Sequence, residues 1–61
     1  MRDRDLVSLL KRNQWVVIRI KGSHHVLQKN GQTIVVPVHG RDIPTGLLKT
    51  ILKQAGLNSL Y

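Results

Sequence analysis

The sequence predicts an α+β domain of order α-β-β-β-α, in which a three-stranded antiparallel sheet carries two helices on one face. Three observations lead there. The segment 15–38 is rich in Val and Ile and is broken twice, at Gly22-Ser23 and at Asn30-Gly31, both of which suit two-residue hairpin turns. Each flank carries apolar residues at intervals of three and four, the period of an amphipathic helix. A three-helix bundle would need to run a helix through Asn30-Gly31 and the β-branched stretch Val16–Ile20, which favours a strand.

Residues 3–12 form the first expected helix. Asp3 can cap its start, Leu6, Leu9 and Leu10 make one stripe, and Lys11 and Arg12 stand where the helix dipole favours cations. Asn13 is a suitable left-handed stop. Strands are expected over 15–21, 24–29 and 32–38. The second helix runs from Pro44 to about Ala55, with Leu47, Leu48, Ile51, Leu52 and Ala55 on one face and Gly56 at its end. The whole chain, 1–61, reads as a single domain.

If both turns contain two residues, Lys21 faces His24, Ile20 faces His25, Ile18 faces Leu27, and His24 faces Pro37. Val16, Ile18, Ile20, His25, Leu27, Ile34 and Val36 then point to the helices. Trp15, Val17, Arg19, Lys21, His24, Val26, Gln28 and Val35 occupy the open face. A bulge in either hairpin exchanges the faces on one side of it.

Size and charge bound the function. A chain of 61 residues buries only about 60% of its unfolded surface and usually needs a staple. The sequence has no cysteine, which excludes disulfides and argues against zinc-ribbon chemistry, so another protein chain is the expected staple. Ten Lys and Arg against three acidic residues give a formal net charge of +7, suited to nucleic acid or an acidic protein. No apolar run has membrane-spanning length, and Met1–Asp5 lack the apolar core of a signal peptide. The expectation is a soluble cytoplasmic protein.

Among chemistry-bearing residues, His24 falls on the open face, opposite Lys21 and diagonal to Arg19. An imidazole beside two fixed cations suits RNA cleavage: it can take the proton of a 2′-hydroxyl or give one to a departing 5′-oxygen, while the cations hold the phosphate. The plainer alternative is a surface histidine on a strand. His25 points toward the core, where a hydrogen-bonded structural role is expected. His39 lies just past the third strand on the side of His24, either as a second proton carrier or phosphate donor, or as a loop cap. Lys29 and Arg41 are further candidates for phosphate contact.

Other chemistries lack their residues. The only carboxylates, Asp3, Asp5 and Asp42, show no two-metal spacing, and no glycine-rich phosphate loop follows a strand. One Trp, one Tyr and no Phe leave no platform for stacking bases. Neither a metal nor a cofactor is expected.

With these residues in place, the chain resembles the HicA family, the toxin half of HicA–HicB modules. The resemblance rests on Lys21-Gly22-Ser23-His24-His25, then Val36-Pro37-Val38-His39-Gly40, then Ile51-Leu52-Lys53-Gln54-Ala55-Gly56-Leu57. Gly-Ser-His alone is a weak pattern; the three motifs at this spacing are specific, and the match runs nearly end to end. It implies a fold like that of double-stranded-RNA-binding domains, metal-independent cleavage of mRNA and neutralisation by a HicB-like antitoxin. The family's catalytic histidine maps onto His24, with Arg19, Lys21, Gly22, Ser23, Lys29 and His39 as substrate-binding candidates. Leu27 stands where members often carry an aromatic residue, and Leu47 where Thr commonly follows the glycine. An acidic antitoxin is expected on the open face, over Trp15, Val17, Val26 and Val35, with Arg19 and Lys21 at its rim. The runner-up is a domain that binds double-stranded RNA without cutting it.

Overall fold

The computed structural model describes residues 1–57; the last four positions of the expected domain, 58–61, lie outside the described residues. Helix α1 spans Asp3–Arg12, strands β1, β2 and β3 span Val16–Lys21, His24–Lys29 and Gln32–Pro37, and helix α2 spans Thr45–Gln54. The sheet is an antiparallel meander of order β1-β2-β3. The order and the α+β class are those expected from the sequence.

The turns follow from backbone chemistry. Asn30 and Gly31 both have positive φ, 50° and 81°, as a type I′ turn requires. Both helices end in the same hydrogen-bonded knot. After α1, Gln14 N–H donates to the Lys11 carbonyl and Trp15 N–H to the Leu10 carbonyl; after α2, Gly56 and Leu57 donate to Lys53 and Leu52. This is the Schellman arrangement, with the residue after the cap left-handed and an apolar contact closing the end. Leu10–Trp15 and Leu52–Leu57 supply those apolar pairs in the core. The left-handed position after α1 is Gln14, φ 72°, rather than the expected Asn13; Asn13 instead turns its side-chain amide back to the Leu9 carbonyl at 2.8 Å.

The core lies between the helices and one face of the sheet. Leu6, Leu9 and Leu10 from α1, Ile51 and Leu52 from α2, and Leu27, Ile34 and Val36 from the sheet are buried together with Val7, Trp15, Ile43 and Leu57. Leu27 is fully enclosed. Leu47 is exposed and Leu48 half-buried, which narrows the apolar face of α2 to the Ile51–Leu52 side.

A further expectation fails, in β1. The ladder pairs Ile20 with His25 and Arg19 with Val26, but Val17, not Ile18, stands opposite Leu27. The extra residue between Val17 and Arg19 is a β-bulge, which reverses the facing of everything before it. Trp15, expected on the open face, is 3% exposed in the core, and Val17 packs beside it. Val16 and Ile18, expected in the core, are 60% and 49% exposed. Ile20 keeps its predicted partner yet is 58% exposed, and the core members from β1 and its approach are Trp15 and Val17. The driving force is area: an indole carries more apolar surface out of water than a Val or Ile side chain.

The bulged register makes a prediction that the unbulged one reverses. Trp15→Ala should cost about 3–5 kcal/mol, the usual penalty for emptying a large aromatic site, while Ile18→Ser should change stability by no more than about 0.5 kcal/mol. Urea unfolding of the two variants checks this; a larger loss at Ile18 than at Trp15 contradicts the bulge.

Candidate active site at the open sheet corner

Three strand ends meet at one corner of the sheet. The Gly22-Ser23 turn joins β1 to β2, with positive φ only at Gly22, 58°, the pattern of a type II′ turn. His24 is therefore the first residue of β2, opposite Lys21 at the end of β1 and Pro37 at the end of β3. Residues directly opposite hold their Cβ atoms about 4.5–5.5 Å apart, and diagonal neighbours about 7–8 Å. Arg19, paired with Val26, is such a diagonal neighbour of His24. Because the bulge lies before Arg19, the expected facing of Arg19, Lys21 and His24 is unchanged, and all three are exposed.

The turn is tied to β3 beyond its last strand residue: Val38 N–H donates to the Ser23 carbonyl at 2.7 Å. This bond fixes Ser23, and with it the start of β2, against the segment leading to His39. His39 follows immediately and is exposed, so the structure brings it to the same corner as His24. Its position depends on a residue of the first helix.

That residue is Asp3. The cap of α1 is Arg2, with no side-chain capping bond, and the Asp3 carboxylate instead faces the loop after β3. Its Oδ2 accepts from His39 N–H at 2.6 Å and from Arg41 N–H at 3.2 Å, and its Oδ1 accepts from Arg4 N–H at 2.7 Å. The main chain adds Asp3 N–H to the Arg41 carbonyl and Ile43 N–H to the Met1 carbonyl, both at 2.9 Å, around an antiparallel bridge between Arg2 and Asp42. At 2% exposure Asp3 is the one buried charged side chain among the described residues. Burial acts to raise its pKa, but the amides of His39, Arg41, Arg4 and Gly40 outweigh that and hold it below its ordinary 3.8.

One expected participant lies elsewhere. Lys29 is at the opposite end of β2 from His24, five residues on, or about 17 Å at the usual rise of a strand. Its ammonium donates to the Asn13 carbonyl at 3.0 Å, tying the second hairpin to the end of α1. His25 is on the helix-facing side and half-buried, as expected, but its Nδ1 is buried without a hydrogen-bond partner among the described residues. The His24 and His25 side chains leave opposite faces of the strand, and no group of three or more His, Asp or Glu side chains gathers anywhere among the described residues.

The open face is also apolar away from this corner, through two of the four residues expected there and two others. Val16 and Ile18 take the places of Trp15 and Val17 and join Val35, all exposed, and half-buried Val26. Cations at the His24 corner and aliphatic side chains toward the sheet centre therefore share one solvent-facing surface.

Comparison with known proteins bears on what this surface does. The family model described as the HicA toxin of bacterial toxin–antitoxin systems matches residues 4–57. A protein of Pseudomonas fluorescens (strain Pf0-1), described as a probable mRNA interferase HicA, is 47% identical over 38 residues, which cover 61% of this chain and 63% of that relative. The match thus spans less than two thirds of the relative's length.

The Asp3 hydrogen bonds have a testable pH signature. A carboxylate whose folded pKa lies below its ordinary 3.8 binds a proton less readily in the native state than in the unfolded one. Its contribution is complete above the unfolded value and is lost as pH falls through the folded value. The stability advantage of the unaltered protein over Asp3→Asn should therefore be constant above about pH 5 and shrink below about pH 4. Thermal unfolding across that range checks it, and an advantage that stays flat to pH 2 contradicts the account.

Proposed function

The chain belongs to the HicA toxin family, and on that premise we propose that it is a toxin acting as a metal-independent endoribonuclease on mRNA, with His24 moving the proton and a HicB-like antitoxin holding it inactive. The observation that carries this reading is the exposed His24 paired with Lys21 and diagonal to Arg19. The relative's description as a probable mRNA interferase supports the same substrate class. No helix among the described residues is long and apolar enough to cross a membrane, which fits action on cytoplasmic RNA.

The chemistry follows from the residue types. RNA carries its own nucleophile, the 2′-hydroxyl beside each phosphate. His24 takes the proton from that hydroxyl or delivers one to the leaving 5′-oxygen. The 2′-oxygen bonds to phosphorus as the bond from phosphorus to the 5′-oxygen breaks, leaving a 2′,3′-cyclic phosphate and a free 5′-hydroxyl. Lys21 and Arg19 neutralise charge gathering on the non-bridging oxygens. Gly22 and Ser23 admit the RNA backbone at the corner, and His39 supplies a second polar contact or the second proton. The contacts are to phosphate rather than to base edges, so charge removal at Arg19 or Lys21 weakens binding across sequences alike.

The same face suits the partner. Exposed Val16, Ile18 and Val35 form an apolar field beside a cationic corner, on a protein of net charge +7. An acidic antitoxin laid over it removes that apolar surface from water and covers His24.

His24→Ala should abolish RNA cleavage and growth arrest while leaving the fold intact, since an exposed truncation shifts stability by about 0.5 kcal/mol or less and a general acid–base group contributes about 10²–10⁴ in rate. Cleavage should persist in EDTA and fail on RNA carrying 2′-O-methyl at the scissile nucleotide. A folded His24→Ala chain that cuts at the original rate contradicts the assignment; a chain that binds duplex RNA and never cuts it supports the binding-module alternative. For the partner, Ile18→Asp and Val35→Asp should weaken a co-expressed antitoxin complex without removing cleavage, and unchanged complex stability argues against this docking face.

A further inference from the structure

We propose that Asp3 is a positioning residue for RNA binding, whose carboxylate holds the His39–Arg41 segment as a second phosphate-binding lip facing the His24 corner. The inference rests on the function proposed above and adds to it a residue that touches no substrate.

A carboxylate at 2% exposure is expensive to bury unless it is fully hydrogen-bonded. Asp3 meets that cost with backbone amides 36 and 38 residues away, those of His39 and Arg41. The segment it grips begins one residue after Val38, whose amide is bonded to the Ser23 carbonyl. Ser23 directly precedes His24. A chain of short bonds therefore runs from the first turn of α1, through the loop after β3, to the turn that presents the proposed catalytic residue. No side chain from α2 enters it.

What the clamp presents is cationic and polar. His39 and Arg41 are both exposed, because their backbones, not their side chains, satisfy Asp3. Gly40 between them has φ 74° with open space about its missing side chain, a left-handed kink that lets successive amides turn toward one carboxylate. An unanchored loop would lose conformational freedom on gripping RNA; one already ordered by Asp3 binds without that loss. The matching chemistry is a phosphodiester adjacent to the one held by Lys21 and Arg19.

Simple charge counting gives the opposite expectation, which makes the proposal sharp. Removing a negative charge from a cationic RNA-binding protein should tighten binding. If Asp3 acts by positioning, Asp3→Asn should instead weaken binding of a fully 2′-O-methylated RNA, which cannot be cut. The expected loss is on the order of tenfold, the scale of one charge-assisted contact. The slope of log affinity against log salt should also fall by about 0.7, one single-strand phosphate contact. The loss should vanish in a His39→Ala, Arg41→Ala background, since a residue working through the lip has nothing left to position. Gly40→Ala strains the same loop without touching the N-terminus and should reproduce the weakening, so the proposal stays testable if Asp3→Asn does not fold. Equal or tighter binding by folded Asp3→Asn overturns the proposal, as does a loss that simply adds to that of the double variant, or unchanged binding by Gly40→Ala. Failure of the unaltered chain to bind the RNA at all overturns the function it rests on as well.

Discussion

A chain of 61 residues has room for one core, and here the burial of Trp15 decides how the sheet is used. Its indole, 3% exposed, sits where α1 ends, held by the bond from its own amide to the Leu10 carbonyl. With Trp15 committed to the helix side, Val17 follows it, and β1 needs one residue more than β2 before Arg19 for the rest of the strand to pair. The bulge is thus the structural consequence of burying the largest apolar side chain in the sequence. Its cost is the exposure of Val16 and Ile18, and that exposure gives the open face its apolar half.

The proposed site lies where this constraint does not reach. Beyond the bulge the ladder runs undisturbed through Arg19, Lys21 and His24 to Pro37, so the corner is set by two short turns. Among the described residues the helices cover one face of the sheet only, and the other is the face on which the proposed RNA and antitoxin contacts lie. The Asp3 clamp is proposed to add the loop after β3 to that corner through part-buried bonds from backbone amides to its carboxylate, an arrangement suited to a domain with a small core.

Much of this was legible in the sequence. Asn30-Gly31 and Gly22-Ser23 each specify a two-residue turn through the φ values they tolerate, so the registers at His24 could be counted outward from either turn. Positions near a turn inherit its certainty. Trp15 and Val16 lie six and five residues from the end of β1, and one inserted residue in between was enough to reverse them. Alternation alone cannot place such an insertion, because Trp15-Val16-Val17-Ile18 is apolar throughout and satisfies either register. The role of Asp3 escapes a local reading for a different reason. An acidic residue at a helix start is ordinarily a cap, and nothing local shows that its oxygens are taken by amides far along the chain. The position of Lys29 illustrates the same limit: its charge was visible, whereas its bond to the Asn13 carbonyl depends on the tertiary fold.

The central claim is that the His24 corner of the open face, and no other surface, receives RNA. A titration of the protein with uncleavable 2′-O-methylated RNA, followed by nuclear magnetic resonance of the three histidine rings, tests it most directly. The account predicts large shifts at His24 and His39, with His25 nearly still behind the strand. Shifts centred on His25, or confined to signals from the exposed sides of α1 and α2 while His24 stays unchanged, would contradict it.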